Sequence, residues 1–234
     1  MLQAPRDHIT GLPKTRFDNV FFHPEIRSPM LLTPNFHPGS APFGERLEMH
    51  GGFEFREWDP RRSKLGSAIK KRISQIAMRN GSKVLYLGAS HGYTPSFVSD
   101  IVGSEGAVYC VEYAPTVSRS LVLLCEQRSN MAPILADANH PVRYVGRVTM
   151  VDVVFQDVAQ RNQLEIFLKN CDAFLRSGGF GLLALKARSM DVARHPESLF
   201  KEVAAVLDKK MILVDKRNLK PYEKDHMLFV CKKR

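Results

Sequence analysis

The sequence predicts an α/β fold, a seven-stranded Rossmann-like sheet with a small N-terminal β domain before it. Three observations carry that reading. From about residue 61, strand-like and helix-like segments alternate until the last two strands, which abut across a short loop. Runs such as KVLYLGAS at 83–90 are compact and apolar, as strands buried on both faces are. Residues 1–57 differ from the rest, with many prolines and little helical periodicity. The expected division is a β-rich domain over 1–57 and the main domain over 58–234.

In the first region, Asn19-Val20-Phe21-Phe22 and Pro29-Met30-Leu31-Leu32 read as short strands between Pro and Gly breaks. Leu65, Ile69, Ile73 and Ile76 then fall at helical spacing and predict a helix over 63–78, ended by Gly81. Strands follow at 83–90, 107–113, 132–137 (despite Pro133), 148–157, 180–187, 211–216 and 226–232. Helices are expected over 97–102, 117–128, 163–174 and 197–207. The abutting last pair predicts one antiparallel member.

The chain has 234 residues, enough for one substantial domain plus an appendage, and its 44% hydrophobic and 25% charged content is ordinary for a soluble protein. No apolar run approaches the ~20 residues of a membrane span. The opening MLQAPRDHITGLPK lacks the apolar core of a signal peptide, so an intracellular, non-membrane protein is expected. The net charge of +10 favours polyanions such as RNA, although many basic proteins bind none. Cys110, Cys125, Cys171 and Cys231 have no zinc-like spacing; buried free thiols and no metal are expected.

Strand ends carry the candidate chemistry. Gly88 and Gly92 let the chain after the first main strand approach a ligand, but their spacing is not that of a pyrophosphate cradle. Glu112 ends the second strand, where a carboxylate can accept both hydroxyls of a ribose. Asp137 follows the third, where it can accept from an adenine amine. Asp157 ends the fourth and could face a sulfonium. These are the needs of S-adenosyl-L-methionine. Each carboxylate alone reads equally well as a strand-end charge or a helix cap.

FREWDPRRSKL, KVLYLGASHGYT, VYCVEY, DANHP, MVDVVFQDVAQ and KPYEKDH follow one another in the order of the fibrillarin family, and LLTPNFHPGSAPFGER resembles its small β domain. The resemblance spans nearly the whole chain. It implies an S-adenosylmethionine-dependent RNA 2′-O-methyltransferase with Lys64, Asp157, Lys186 and His226 as catalytic residues. Lys186 would lie beside the acceptor hydroxyl, Lys64 would tune it, Asp157 would orient it, and His226 would complete the network. The implied cofactor cradle is Gly88, Ala89, Tyr93, Thr94, Glu112, Tyr113, Asp137, Ala138, Asp157 and Gln160. His91 and Tyr93 depart from the family pattern, and the bulk of Tyr93 is expected to bear on the loop's contact with the cofactor carboxylate. Gln156 also departs.

Arg56, Arg61, Arg62 and Arg188 flank these segments and are expected to hold RNA phosphates. No base-reading motif is present. The resemblance therefore implies box C/D guide RNA pairing with target rRNA, a Nop-family scaffold and a kink-turn-binding protein as partners, in support of rRNA processing. DANHPVRY, VYCVEY and MVDV look closer to eukaryotic forms, which implies the nucleolus; an archaeal source would imply the cytoplasm. Two other readings stay open: a structural particle subunit without catalysis, and a protein (histone) glutamine methyltransferase.

Overall fold

The computed structural model describes residues 5–25 and 28–234. Residues 1–4, part of the segment read for a signal-peptide core, lie outside these. No described helix is long and apolar enough to cross a membrane.

Four strands, β1 (Phe21–Phe22), β2 (Leu31–Pro34), β3 (Leu47–His50) and β4 (Phe53–Trp58), form an antiparallel sheet in the order β1-β2-β4-β3. Gly51 and Gly52 turn the β3–β4 hairpin at φ 59° and 83°, left-handed values that a tight hairpin demands and glycine supplies. There follow α1 (Lys64–Lys70), β5 (Lys83–Leu87), α2 (Tyr93–Val102), β6 (Ala107–Glu112), α3 (Pro115–Glu126) and β7 (Met131–Leu135). The chain continues through β8 (Val151–Gln156), α4 (Gln163–Phe174), β9 (Leu175–Lys186), α5 (Ala187–Met190), α6 (Pro196–Lys210), β10 (Ile212–Asn218) and β11 (His226–Lys232).

The main sheet has seven strands in the order β10-β11-β9-β8-β5-β6-β7. Strands β5 to β9 run parallel, and β11 is antiparallel to both of its neighbours. That is the antiparallel member expected from the abutting last pair. The chain leaves β5 toward β6 and β7, then returns to the other side of β5 as β8. Ligands of open α/β sheets bind at such a switch point, beyond the strands' C-terminal ends.

Both faces are apolar, which explains the unbroken apolar runs. Tyr86, Phe155, Ala184 and Leu228 point into one core with Leu65, Ala68 and Ile69 of α1 and Phe97 of α2. Leu85, Val154, Leu185 and Met227 point into the other, with Phe167 of α4 and Leu199 and Val203 of α6. Pro133 is tolerated because β7 is an edge strand.

The helix expected over 63–78 is shorter. It stops at Lys70 because Arg72 turns left-handed at φ 59°. The Ile73 amide then donates to the Ala68 carbonyl at 3.0 Å and the Arg72 amide to Ile69 at 2.9 Å, a Schellman cap. Ile73 and Ile76 stay fully buried, so their spacing reported burial and not helix. The fifth main strand begins at Leu175 rather than 180, because the Ser177-Gly178-Gly179 segment lies within β9 beside a register shift.

Arg56 is corrected as a phosphate contact. Its side chain has no exposed surface and ties the small sheet to α2. It pairs with Glu45 and, at 2.8 Å, with Asp100 of α2. Asp100 also accepts from Arg128 at 2.7 Å, from the Thr33 hydroxyl at 2.9 Å and from the Phe36 amide at 3.1 Å.

Candidate active site

Strand alternation brings distant residues to one face. Phe155, Ala184 and Leu228 all face the α1 side, so Asp157, Lys186 and His226, each two residues away along its chain, emerge on that side. Lys64 opens α1 directly above them. Its helix is capped by Ser63, whose hydroxyl accepts from the Gly66 amide at 3.1 Å. Lys186 ends β9, His226 opens β11, and the two are opposite one another in the antiparallel register.

The Lys64 ammonium lies 3.0 Å from Asp157 Oδ2. Burial works against its charge, but the Asp157 and Glu223 carboxylates outweigh that and raise its pKa above the ordinary lysine value. Among the described residues the ion-pair partner of Asp157 is Lys64. The reason is geometric, since α1 delivers Lys64 onto the end of β8. Lys186 is exposed at its strand end.

His226 is buried, and its Nδ1 lies 2.6 Å from the Lys224 carbonyl. A carbonyl only accepts, so Nδ1 carries the proton, and neutral His226 keeps an unprotonated Nε2. Burial lowers its pKa first; the Lys224 bond opposes this and the charge of Lys64 adds to it.

The glycine loop meets this group at the switch point. A Cβ on Gly88, at φ 82°, would come within 2.3 Å of the Asp157 carbonyl oxygen, so the approach of the two segments requires glycine. The Ala89 amide donates to the Val111 carbonyl at 3.1 Å. The Ser90 amide donates to Glu112 Oε2 at 2.7 Å, while Oε1 accepts from the Tyr113 and Ala114 amides, each at 2.8 Å. Glu112 therefore latches the loop and keeps lone-pair capacity on Oε2. Tyr113 stands largely exposed beside it.

Asp137 accepts from both the amide and the side chain of Asn139, at 2.8 and 2.9 Å. Burial opposes its charge, but these bonds hold its pKa below the usual carboxylate value. Asn139 also donates to Gln160 at 2.9 Å and accepts from Asn162 at 2.6 Å. Ala138 is buried in the sheet's second core. The expected residues thus line one sheet edge in two groups, Lys64-Asp157-Lys186-His226 and Glu112-Asp137-Gln160, joined by the Gly88 loop.

The Tyr93 side chain is placed elsewhere than its bulk suggested. Its ring packs edge-on against Phe43 and Phe97, Arg62 stacks on it at 4.1 Å, and its hydroxyl accepts from the Asp59 amide at 3.2 Å. The neighbouring Thr94 hydroxyl donates to Ser63 at 3.1 Å. The loop's exit is thereby fastened to the segment that presents Lys64. Asn139, Asn162 and Gln163 belong to the site's framework and were not singled out in the sequence. Asp-x-Asn after a strand is a turn signal that could have found Asn139.

Carboxylates at successive strand ends, a glycine-only cradle and an ion pair beside an exposed lysine suit a nucleoside-bearing cation such as S-adenosylmethionine. The fibrillarin family model matches residues 12–234. A fibrillarin-like rRNA/tRNA 2′-O-methyltransferase of Thermococcus onnurineus is 47% identical over 223 residues, 95% of this chain and 99% of the relative. The fold superposes on Aeropyrum pernix fibrillarin, solved with natively bound S-adenosyl-L-methionine, with TM-score 0.80 and 39% identity over 86% of this chain and 88% of that one. It superposes on the fibrillarin of a fibrillarin/Nop5p complex with TM-score 0.86 and 35% identity over 94% of this chain and 100% of that one. With sequence, fold and site geometry in agreement, the chain belongs to the fibrillarin family.

Proposed function

We propose that the chain is an S-adenosylmethionine-dependent RNA 2′-O-methyltransferase, acting as the catalytic subunit of a guide-RNA-directed box C/D particle on rRNA. The observation that carries this reading is the convergence of Lys64, Asp157, Lys186 and His226 on one face beside the Gly88 loop. When bound, the cofactor supplies an electrophilic methyl group. Glu112 and Asp137 would hold its ribose and adenine ends, beside the Gly88 loop. Asp157 balances positive charge at the site. Lys186 meets the acceptor hydroxyl, stabilises the developing alkoxide and, as the amine, takes its proton. His226 offers Nε2 as an acceptor that helps orient the ribose. Exposed Arg61, Arg62 and Arg188 supply phosphate contacts near the site.

Base specificity comes from guide pairing, with a Nop-family scaffold and a kink-turn-binding protein completing the particle. The place of action is where rRNA is made, the nucleolus in a nucleated cell and the cytoplasm in an archaeon. Labelled S-adenosylmethionine, a reconstituted particle and nucleotide mapping test the reading. Label at the single guided 2′-oxygen is expected. Label on an unguided nucleotide by the protein alone, or only on protein glutamine, would refute it.

A further inference from the structure

Strand β9 outruns its neighbour. Its parallel register with β8 ends at the Gln156↔Leu183 pair, yet β9 continues to Lys186. On its other side the edge is served by the β11 segment, where the Ala187 amide donates to the Asp225 carbonyl at 3.0 Å. On the β8 side, among the described residues, no strand pairs with the amide and carbonyl of Lys186, and peptide groups withdrawn from water need partners.

The side chain of Gln163 supplies them. Its Oε1 accepts from the Lys186 amide at 3.0 Å, and its Nε2 donates to the Lys186 carbonyl at 3.0 Å. A carboxamide carries an acceptor and a donor side by side, as a peptide unit does, so one side chain replaces the missing rung. Gln163 is fully buried at the start of α4. Its own carbonyl accepts from Gln156 Nε2 at 2.6 Å, and Gln156 immediately precedes Asp157. The chain Gln156–Gln163–Lys186 thus ties the end of β8, which carries Asp157, to the end of β9, which carries Lys186.

We propose that Gln163 is a positioning residue for methyl transfer, its carboxamide clasping the main chain of Lys186 and fixing where that lysine stands relative to Asp157 and Lys64. The inference rests on the reading of Lys186 given above. Misplacement of a reacting group by about 1 Å can cost ~10²-fold in rate. Gln163→Met keeps the length and loses both bonds; Gln163→Glu keeps the acceptor and loses the donor.

Single-turnover methyl transfer in assembled particles at saturating cofactor is expected to slow by ~10- to 100-fold in Gln163→Met. Cofactor affinity by calorimetry should stay within about twofold, because the clasp lies on the acceptor side. The deciding measurement is a double-mutant cycle with Lys186→Ala. If Gln163 acts through Lys186, Gln163→Met adds almost nothing to Lys186→Ala. An equal slowing in both backgrounds, or a wild-type rate in Gln163→Met, overturns the proposal. A Lys186→Ala particle as fast as wild type breaks the underlying reading instead. Should Gln163→Met fail to fold, Gln163→Glu carries the same cycle. Hydrogen exchange of the wild-type Lys186 amide tests the clasp directly: protection like that of Leu183 supports it, and exchange at the rate of an open loop overturns it.

Discussion

Arg56 and Lys64 stand close together in the sequence, and each pairs with an aspartate, but the two pairs differ in what is left over. The Arg56 side chain is wholly buried and shares out its donors among Glu45, Asp100 and Ser96. Asp100 is likewise saturated, by Arg56, Arg128, Thr33 and Phe36. The Lys64 and Asp157 side chains are 22% and 23% exposed and meet at the open end of the sheet, beside an exposed lysine and a histidine with an unprotonated Nε2. A charge whose partners are all fixed holds elements together. A charge with spare hydrogen-bonding capacity at a ligand-binding edge is available to a substrate. The sign of the charge and its neighbours in sequence do not distinguish the two; saturation does.

The largest expected effect falls on the open cluster. Lys186→Ala should slow single-turnover transfer by ~10²–10⁴-fold while leaving the unfolding midpoint nearly unchanged, because the side chain is exposed. Lys186→Arg should not rescue, since arginine stays protonated and is larger. A folded, assembled Lys186→Ala particle with wild-type speed would erase the functional half of the comparison.

The closed cluster should behave in the opposite way. Arg56→Met removes one partner from a buried network and should cost about 3–5 kcal/mol of stability by urea unfolding, with activity per folded molecule retained. Unchanged stability combined with weakened RNA binding would place Arg56 among the functional residues after all.

Glu112 stands between the two classes, with one oxygen saturated and the other half used. Glu112→Ala should weaken S-adenosylmethionine binding by about 1.5–3 kcal/mol, as for a charged hydrogen-bond partner, measured by calorimetry. Wild-type affinity would make Glu112 a structural latch only.

The smallest effect concerns pH. Burial, with the charge of Lys64, holds the His226 pKa below its ordinary 6.5. The unfolded chain therefore takes up this proton before the folded one does. The stability at stake is present above that pH and declines as pH falls toward the folded value. Urea unfolding across this range should show a flatter acid slope for His226→Gln. Identical slopes would mean that His226 is not held neutral by the cluster.

Much of this could be read in the chain beforehand. Seven apolar runs, their alternation with helices and the abutting last pair correspond to the seven strands and to the antiparallel β11. The candidate residues stand at strand ends because those runs end where the sheet ends. Local spacing misled at Ile73 and Ile76, where a left-handed Arg72 stops the helix while the isoleucines still enter the core. It also gave no hint of Gln163, because a buried glutamine looks like any other polar residue until the strand it completes is in place.

The sequence by itself determined the fold class, the family and the residues that reach the C-terminal edge, since periodicity and burial are local and short motifs keep their order. Tertiary structure alone decided that Arg56 is buried against Asp100, that Asp157 pairs with Lys64, that Tyr93 turns to Phe43 and Arg62, and that Gln163 holds Lys186. Each of those joins segments far apart in the chain, and the partner of a polar group is set by strand register and helix placement, which no local pattern encodes.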